Sequence, residues 1–198
     1  MRLLLAVVLI ALVLGRLLGV RLRELGRLRL RSWGLAVRGL LLQLAPIPWG
    51  GDTGRTVAVA LLIASYPLPL LFAWRNLHLA GFVLILAGLA LNMALITVNE
   101  GMPVPGAALA ASGQGELIAG LRAEPSQKHQ LQGPGNKLGP LADVFPVPTP
   151  IGQVISLGDI AMYAGIVWLL VATMRGIPAP RHARGAGALG TDPEGRPR

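Results

Sequence analysis

The 198-residue sequence contains no cysteine, which excludes disulfide bonds, zinc–thiolate sites, iron–sulfur clusters and cysteine nucleophiles. It is also poor in charge: 14% of the residues are charged, against about 25% in an average soluble domain. Because 53% of the residues are hydrophobic, this deficit indicates a chain that lies in lipid. The same composition excludes disorder, collagen and coiled coil as the main structural class.

The motifs of several familiar enzyme classes are missing as well. There is no H-E-x-x-H or paired-histidine spacing for zinc, no G-x-S-x-G serine motif and no G-K-[ST] phosphate loop. We therefore expect no metal and no cofactor. The net charge of +9 occurs without RNP-like aromatic residues or a helix-turn-helix pattern, so we expect no nucleic-acid partner.

Five segments are apolar over the length of about 17–25 residues that a membrane-spanning helix needs. They are residues 3–20, 33–49, 57–74, 77–98 and 154–174. We expect Pro67 and Pro69 to kink the third span, since each removes a backbone donor. Residues 49–55 and 75–76 should form short turns. The sequence thus predicts an all-α fold, a polytopic membrane helix bundle with five transmembrane helices.

The distribution of basic residues predicts the orientation, because cytoplasmic loops carry an excess of Lys and Arg. One side would hold twelve arginines: Arg16, Arg21, Arg23, Arg27, Arg29, Arg31, Arg75, Arg175, Arg181, Arg184, Arg196 and Arg198. The other side would hold five basic residues: Arg2, Arg55, Arg122, Lys128 and Lys137. We expect the N-terminus outside and the C-terminus in the cytoplasm of a multi-pass protein of the bacterial cell membrane.

Two segments lack the pattern of a membrane span. Residues 99–153 contain eight of the sixteen prolines, which predicts an extracytoplasmic segment rather than one helix. Within it, residues 105–123 favour one or two short helices, and residues 141–150 favour an extended chain at the membrane surface. Residues 175–198 are rich in Gly, Pro, Ala and Arg without periodicity, which predicts a disordered basic cytoplasmic tail.

The segment between the first two spans alternates between arginine and apolar residues. This pattern predicts an interfacial segment on the lipid bilayer. Its arginines would bind anionic headgroups, with about 1 kcal/mol for each one near the surface. The arginines concerned are Arg21, Arg23, Arg27, Arg29 and Arg31. A tight positive-inside loop without lipid specificity is the simpler interpretation.

Ser156 and Asp159 form an S-x-x-D pattern directly before the last apolar run. This pattern is typical of a capping box, in which the serine accepts from first-turn amides and the acid lies at the positive helix end. The alternative is an intramembrane acid that carries protons or ions. Asn92 and Asn99 are seven residues apart and share one helical face, where they would form interhelical hydrogen bonds or line a polar groove.

His129 precedes Asp143 by fourteen residues in the predicted outer segment. An extended chain covers about 3.3 Å per residue, so the histidine can reach the membrane surface where apolar residues around Asp143 should pack. We expect one candidate polar cluster at the outer mouth of the bundle: Asn99, His129, Asp143, Ser156 and Asp159. A structural histidine bonded to loop carbonyls is the plain alternative, and a metal or acid–base site with nearby carboxylates is the chemical one.

Four motifs lie between residues 99 and 159: Asn99, Gly101, Met102, Pro103 and Val104; His129; Leu141, Asp143 and Pro146; and Ser156, Gly158 and Asp159. Through these motifs the chain resembles a bacterial family of small integral membrane proteins of unknown function. The chain departs from the family pattern in having Asn-Glu-Gly-Met for Asn-Gly-Gly-x-Met and Leu-Ala-Asp for Leu-Gly-Asp. The resemblance implies the topology and a set of outer motifs, but no established activity.

Three functions fit these observations. The first is a non-enzymatic envelope or membrane-interaction protein whose outer cap is a binding surface. The second is a small transporter or ion-coupled carrier that uses Asn92, Glu100 and Asp159. The third is a membrane enzyme with an outer site at His129 and Asp143. Substrate, protein partners and oligomeric state are not encoded in any pattern that we recognise.

The charge distribution generates a test of topology. A reporter that is active only outside the cytoplasm should be silent when fused after Arg184 and active when fused near Gln132, because positive loops stay inside. Enzyme activity of the fusions in intact cells measures this, with equal fusion levels on immunoblots as the control. The reverse pattern would contradict the predicted orientation.

Overall fold

A computed structural model of the chain describes residues 2–17, 22–48, 51–123, 126 and 129–176. Its helices are α1 (Arg2–Leu17), α2 (Trp33–Leu44), α3 (Gly51–Ser65), α4 (Pro67–Arg75), α5 (Phe82–Asn99), α6 (Gly106–Ala111), α7 (Leu117–Ala123) and α8 (Leu157–Met174). Its strands are β1 (Met102–Val104), β2 (His129–Leu131), β3 (Phe145–Val147) and β4 (Gln153–Ile155). The chain is therefore mostly helical. The predicted all-α class needs correction only in the outer segment, where the strands form two small sheets.

Three helical segments are long and apolar enough to cross a membrane: Gly51–Arg75, Phe82–Asn99 and Leu157–Met174. They correspond to the third, fourth and fifth predicted spans. The first two predicted spans correspond to shorter apolar helices, α1 and α2. Helix α2 ends at Leu44 because Pro46 and Pro48 follow, so its twelve residues cover only about 18 Å. Residues 18–20 and most of the predicted tail, from residue 177 onward, lie outside the described part of the chain.

Two predicted boundaries are wrong by several residues. Helix α3 begins at Gly51, where we expected a turn over residues 49–55. Asp52 lies in its first turn, where the helix dipole favours a carboxylate. Helix α5 begins at Phe82 and not at Leu77, because Gly81 before it adopts a left-handed conformation with φ +82°. Leucine content alone does not reveal that turn.

The two prolines of the third span coincide with a one-residue break in its helical hydrogen bonding, at Tyr66, whose backbone stays helical (φ −62°, ψ −36°). Helices α3 and α4 are separated by Tyr66, directly before Pro67. The amide of Tyr66 donates to the carbonyl of Ile63 at 3.2 Å, which satisfies one acceptor that Pro67 cannot reach. Helix α2 packs against this break: a β-carbon on Gly39 would lie 2.7 Å from the ring of Pro69.

The buried side chain of Asn76 joins the arginine-rich segment to the turn between α4 and α5. Its amide donates to the carbonyl oxygens of Arg31 and Phe72 at 2.9 and 2.8 Å, and its Oδ1 accepts from the amide of Arg31 at 2.8 Å. Leu28 and Leu30 pack against the hydrophobic core that contains Phe82, whereas Arg29 and Arg31 are not buried. The alternation of leucine and arginine in this segment thus separates a core face from an outer face.

Helices α5 and α8 are antiparallel and meet through glycines. Gly81 lies opposite Gly165, and Gly88 lies opposite Gly158. Along the sequence the two glycines on each side are seven residues apart, which is about two helical turns. A β-carbon on Gly165 would lie 2.6 Å from the carbonyl oxygen of Gly81, and one on Gly158 would lie 2.8 Å from that of Gly88. Small residues are common where membrane helices approach this closely.

This contact predicts that Gly165→Ala is destabilising although alanine favours a helix. The added methyl group would meet the Gly81 backbone, and overpacking of this kind costs about 1–3 kcal/mol. Thermal unfolding of the purified protein in detergent measures the effect. The control is Gly34→Ala, whose β-carbon meets nothing within 4 Å and should leave stability unchanged or raise it by up to about 1 kcal/mol. Equal melting temperatures for the two variants would contradict the close contact.

Candidate functional site

Strand β1 is the platform on which the candidate site is assembled. It follows α5 after a short turn, and its three residues are buried. It pairs in parallel with β2, so that Met102 lies opposite His129. The carbonyl of Pro103 accepts a hydrogen bond from the amide of Asp143 at 3.2 Å. One short strand therefore holds the backbones of two distant segments beside each other, with His129 and Asp143 on them.

The side chains of His129 and Asp143 form a pair. The Nε2 of the histidine lies 3.5 Å from Oδ2 of the aspartate, and the two side chains are 48% and 6% exposed. Burial raises the pKa of Asp143, while the hydrogen bond and the charge of His129 oppose that shift and the charge of Asp159 adds to it. Oδ1 of Asp143 is buried and has no hydrogen-bond partner among the described residues.

The start of α8 forms a second polar group, in which the predicted capping box is present. The hydroxyl of Ser156 accepts from the amide of Asp159 at 3.0 Å, and the carboxylate of Asp159 accepts from the amide of Ser156 at 3.2 Å. Asn92 of α5 completes the group. Its amide donates to Asp159 Oδ1 at 2.9 Å, and its Oδ1 accepts from the Ser156 hydroxyl at 2.9 Å.

Asn99, at the end of α5, fastens the outer segment to the bundle. Its amide donates to the carbonyl oxygens of Leu95 and Lys137, at 2.9 and 3.0 Å. Its Oδ1 accepts from the amide of Lys137 at 2.8 Å. The side chain of Gln130 donates to the carbonyl of Asn99 at 2.6 Å and accepts from Arg55 at 2.8 Å. Because Gln130 follows His129 directly, these bonds fix the strand that presents the histidine.

Two cavities meet at the His129–Asp143 pair. The outer cavity has a volume of about 570 Å³ and is lined by Val104, Leu109, Gln114, Glu116, Leu117, Gly120, Leu121, Ser126, His129, Asp143, Gln153 and Val154. The inner cavity has a volume of about 130 Å³ and is lined by Gln43, Leu62, Tyr66, Asn92, Ile96, Met102, His129, Asp143 and Asp159. The pair thus borders two spaces. One is an apolar space within the outer segment, residues 99–153, which forms a cap on the bundle, and the other is a smaller polar space at the adjacent end of the helices.

The five residues of the predicted cluster occupy three positions around these cavities. His129 and Asp143 form the pair, and Ser156 and Asp159 form the helix cap of α8. Asn99, at the end of α5, bonds the backbone of Lys137 and is not among the residues that line either cavity. Asp159 borders the inner cavity together with the pair. Gln43 and Tyr66 also line that cavity. Gln43 could have been found from the sequence, because it is a polar residue inside an apolar span. Nothing in the sequence indicates a role for Tyr66 beyond its position before Pro67.

The arrangement offers acid–base and hydrogen-bonding chemistry at one end of an apolar chamber. A histidine that is half exposed and paired with a buried carboxylate can accept or donate a proton. Among the described residues, no group of three or more His, Cys, Asp or Glu side chains is arranged to hold a metal ion. Glu116 borders the outer cavity, whereas Glu124 lies outside the described residues.

The network at the start of α8 generates a prediction with two variants. Ser156→Ala removes the cap acceptor, which costs about 0.5–2 kcal/mol, and also leaves the buried Oδ1 of Asn92 without its donor. Asp159→Asn keeps one oxygen, which can accept from Asn92 or from the Ser156 amide, and it leaves the bond from its own amide to the Ser156 hydroxyl in place. Chemical or thermal unfolding should therefore rank the second variant nearer to the wild type. A larger loss of stability for Asp159→Asn would show that the negative charge of Asp159, and not the capping hydroxyl of Ser156, stabilises the start of α8.

Comparisons with known proteins give one match. The sequence model of a family of unknown function, DUF5317, matches residues 27–171, which include every residue of the pair, the α8 cap and strand β1. Neither the curated proteins nor the solved structures contain a significant match. The match agrees with the resemblance to an uncharacterised family, and it covers well over half of the chain. The chain therefore belongs to the DUF5317 family of unknown function.

Proposed function

We propose that this protein is a multi-pass protein of the cell membrane whose outer cap binds a small amphipathic molecule. The outer cavity carries the proposal. Its volume of about 570 Å³ lies in the range of about 300–1,000 Å³ typical of small-molecule sites. Most of its lining surface is apolar, and six of its twelve lining residues are polar. Such a chamber would hold an apolar body, and the His129–Asp143 pair would meet a polar head.

The cap is built as a unit that can keep such a chamber open. Val104, Leu109 and Val154 belong to a hydrophobic core of its own, against which Leu121 and Leu131 pack. The cap is also fastened to the bundle through Asn99 and through the pairing of β1 with β2. These contacts hold in place the elements that line the cavity on the side of the bundle.

The five-span topology, with the N-terminus outside, is part of the proposal. Helices α1 and α2 would be the first two spans, and their many exposed leucines support contact with lipid. At about 1.5 Å per residue α1 covers about 24 Å, and thinning of the bilayer or flanking residues can make up the difference at a modest cost. Gly15 at the end of α1 contacts Met174 at the end of α8, which supports a common direction for both helices.

Anionic headgroups are the proposed partners of the segment between α1 and α2. The side chains of Arg29 and Arg31 are exposed, while Leu28 and Leu30 between them pack inward. This separation of faces suits an interfacial segment on an anionic leaflet. Arg21 lies outside the described residues, and the side chains of Arg23 and Arg27 are proposed as partners from the sequence pattern alone.

A membrane enzyme is the second candidate, and the His129–Asp143 pair favours it. The exposed histidine could act as a general base on a molecule in the outer cavity, with the buried aspartate orienting its ring. The carrier hypothesis is supported less well. Gln43, Asn92 and Asp159 line a cavity of about 130 Å³ that borders the cap, and the polar surface they supply lies toward the outer ends of their helices.

Filling the outer cavity tests the proposed function. Gly120 lines it, and a β-carbon there would meet nothing within 4 Å, so Gly120→Trp adds a large side chain without a backbone clash. Decan-1-ol and decylamine, titrated into the full chain in phosphatidylcholine nanodiscs, should give saturable binding beyond that of empty nanodiscs. Gly120→Trp should weaken it by about tenfold or more, the equivalent of losing some 1.4 kcal/mol of apolar contact.

The matched control is Ala119→Trp, one residue earlier on the same helix and exposed outside the cavity. It should bind both probes as the wild type does. Absence of saturable binding for both probes, or equal binding by both tryptophan variants, would contradict the proposed function.

A further inference from the structure

The buried carboxylate of Asp143 has one oxygen that nothing satisfies. Asp143 is 4% exposed, and its Oδ2 faces His129. Its Oδ1 is the one buried side-chain oxygen or nitrogen without a hydrogen-bond partner among the described residues. Leaving such an acceptor unpaired is unfavourable, and more so when it is charged. Because Asp143 lines the outer cavity, a donor that enters the cavity lies beside a carboxylate that is already desolvated.

We propose that the outer cavity selects a ligand with an N–H-bearing cationic head, an alkylammonium, whose head donates to Oδ1 of Asp143. This inference rests on the proposed function and adds the chemistry of the ligand. The apolar body would lie among Val104, Leu109, Leu121 and Val154, which line the same cavity. A charged donor suits this position because hydrogen bonds that involve an ionised group are about twice as strong as neutral ones.

The charges around the cavity point to the same sign of ligand. Its lining contains two carboxylates, Asp143 and Glu116, and the amides of Gln114 and Gln153. Among the described lining residues there is no lysine or arginine, and His129 is the only other group that can carry a positive charge. Asp159, on the inner side, adds a third carboxylate that borders the pair. An anionic head would meet these carboxylates, whereas a cationic head would be attracted to them.

His129 does not engage both oxygens of the carboxylate. Its Nε2 lies 3.5 Å from Oδ2, and about half of its side chain is exposed, so Oδ1 is left without a donor among the described residues. The backbone of the histidine is held by the pairing of β2 with β1, which keeps the ring beside the carboxylate. A metal cation alone would satisfy the oxygen but would leave the apolar lining unused. The combined lining therefore fits an amphiphile better than an ion.

The test compares heads on one ten-carbon chain. Decylamine, decan-1-ol, decanoate and decyltrimethylammonium are titrated into the full-length protein in phosphatidylcholine nanodiscs, with empty nanodiscs subtracted. We expect decylamine to bind about tenfold tighter than decan-1-ol, the difference made by a hydrogen bond to a charged group. Decyltrimethylammonium has the charge but no N–H donor, so it should bind about tenfold more weakly than decylamine. Decanoate should bind most weakly of the four.

Two matched variants locate the effect. Asp143→Asn should reduce the preference for decylamine over decan-1-ol to less than about threefold, while decan-1-ol still binds. Glu100→Gln removes an exposed carboxylate of the outer segment that lines neither cavity, and it should keep the full preference because solvent screens its charge. Melting curves and circular dichroism of both variants check that they fold. If Asp143→Asn does not fold, the comparison of decylamine with decyltrimethylammonium on the wild type decides.

The outcomes separate this inference from the proposed function. If decan-1-ol or decanoate binds as tightly as decylamine, or if the trimethyl compound equals decylamine, the head-group inference is overturned while the cavity is still a binding site. If Asp143→Asn keeps the full preference, the acceptor is not Asp143. If no probe binds in a saturable way, the proposed function itself is wrong.

Discussion

The close contact between α5 and α8 is the constraint on which the rest of the structure depends. No side chain separates the helices where Gly81 faces Gly165 and Gly88 faces Gly158. In lipid, helices gain little from hiding apolar surface from one another, so close packing and hydrogen bonds must hold them together. Here both occur at one place: the space beside Gly158 is filled by Asn92, whose amide and oxygen bond the cap of α8. The same contact that holds the bundle therefore positions the polar network at the start of α8.

The outer segment connects the end of α5 to the start of α8, so both of its ends are held by this helix pair, and its fold follows from that closure. It starts at Asn99 beside Lys137 and ends at Ser156 beside Asn92. Between these points the chain has buried Met102 and Ala142 in the core of the bundle, and Val104 and Val154 in the core of the cap. Strand β1 is common to both cores, since its alternate residues enter one or the other. This double burial keeps the His129–Asp143 pair at the boundary between cap and bundle.

Local features of this fold were predictable from the sequence, and features that depend on distant partners were not. The cap of α8, the interruption before Pro67 and the two short helices α6 and α7 each follow from neighbouring residues. The early end of α2 could have been read from Pro46 and Pro48, which weigh more than the apolar letters around them. The start of α5 could not, because the turn before it depends on Gly81 packed against Gly165 and on Asn76, which bonds Arg31 forty-five residues away.

The same distinction applies to the candidate site. His129 and Asp143 were expected to share a cluster with the cap of α8 because of chain reach and the apolar residues around Asp143. The parallel pairing of β1 with β2, which holds the histidine in place, involves three residues on each strand and leaves no periodic pattern to recognise. The glycines of α5 and α8 are visible in the sequence at a spacing of seven, but their mutual contact depends on the antiparallel arrangement of the two helices.

The unpaired oxygen of Asp143 is buried as a consequence of this assembly. A carboxylate on a mobile loop would turn toward water and lose nothing. The backbone of Asp143 is held in place, because its amide is bonded to Pro103 and Ala142 before it is fully buried in the core of the bundle, and its Oδ2 faces His129. The fold therefore holds a desolvated acceptor at the wall of an apolar chamber. Burial of that kind is unfavourable for the empty protein, and it becomes favourable when a donor enters, because the donor meets an acceptor that has already lost its water.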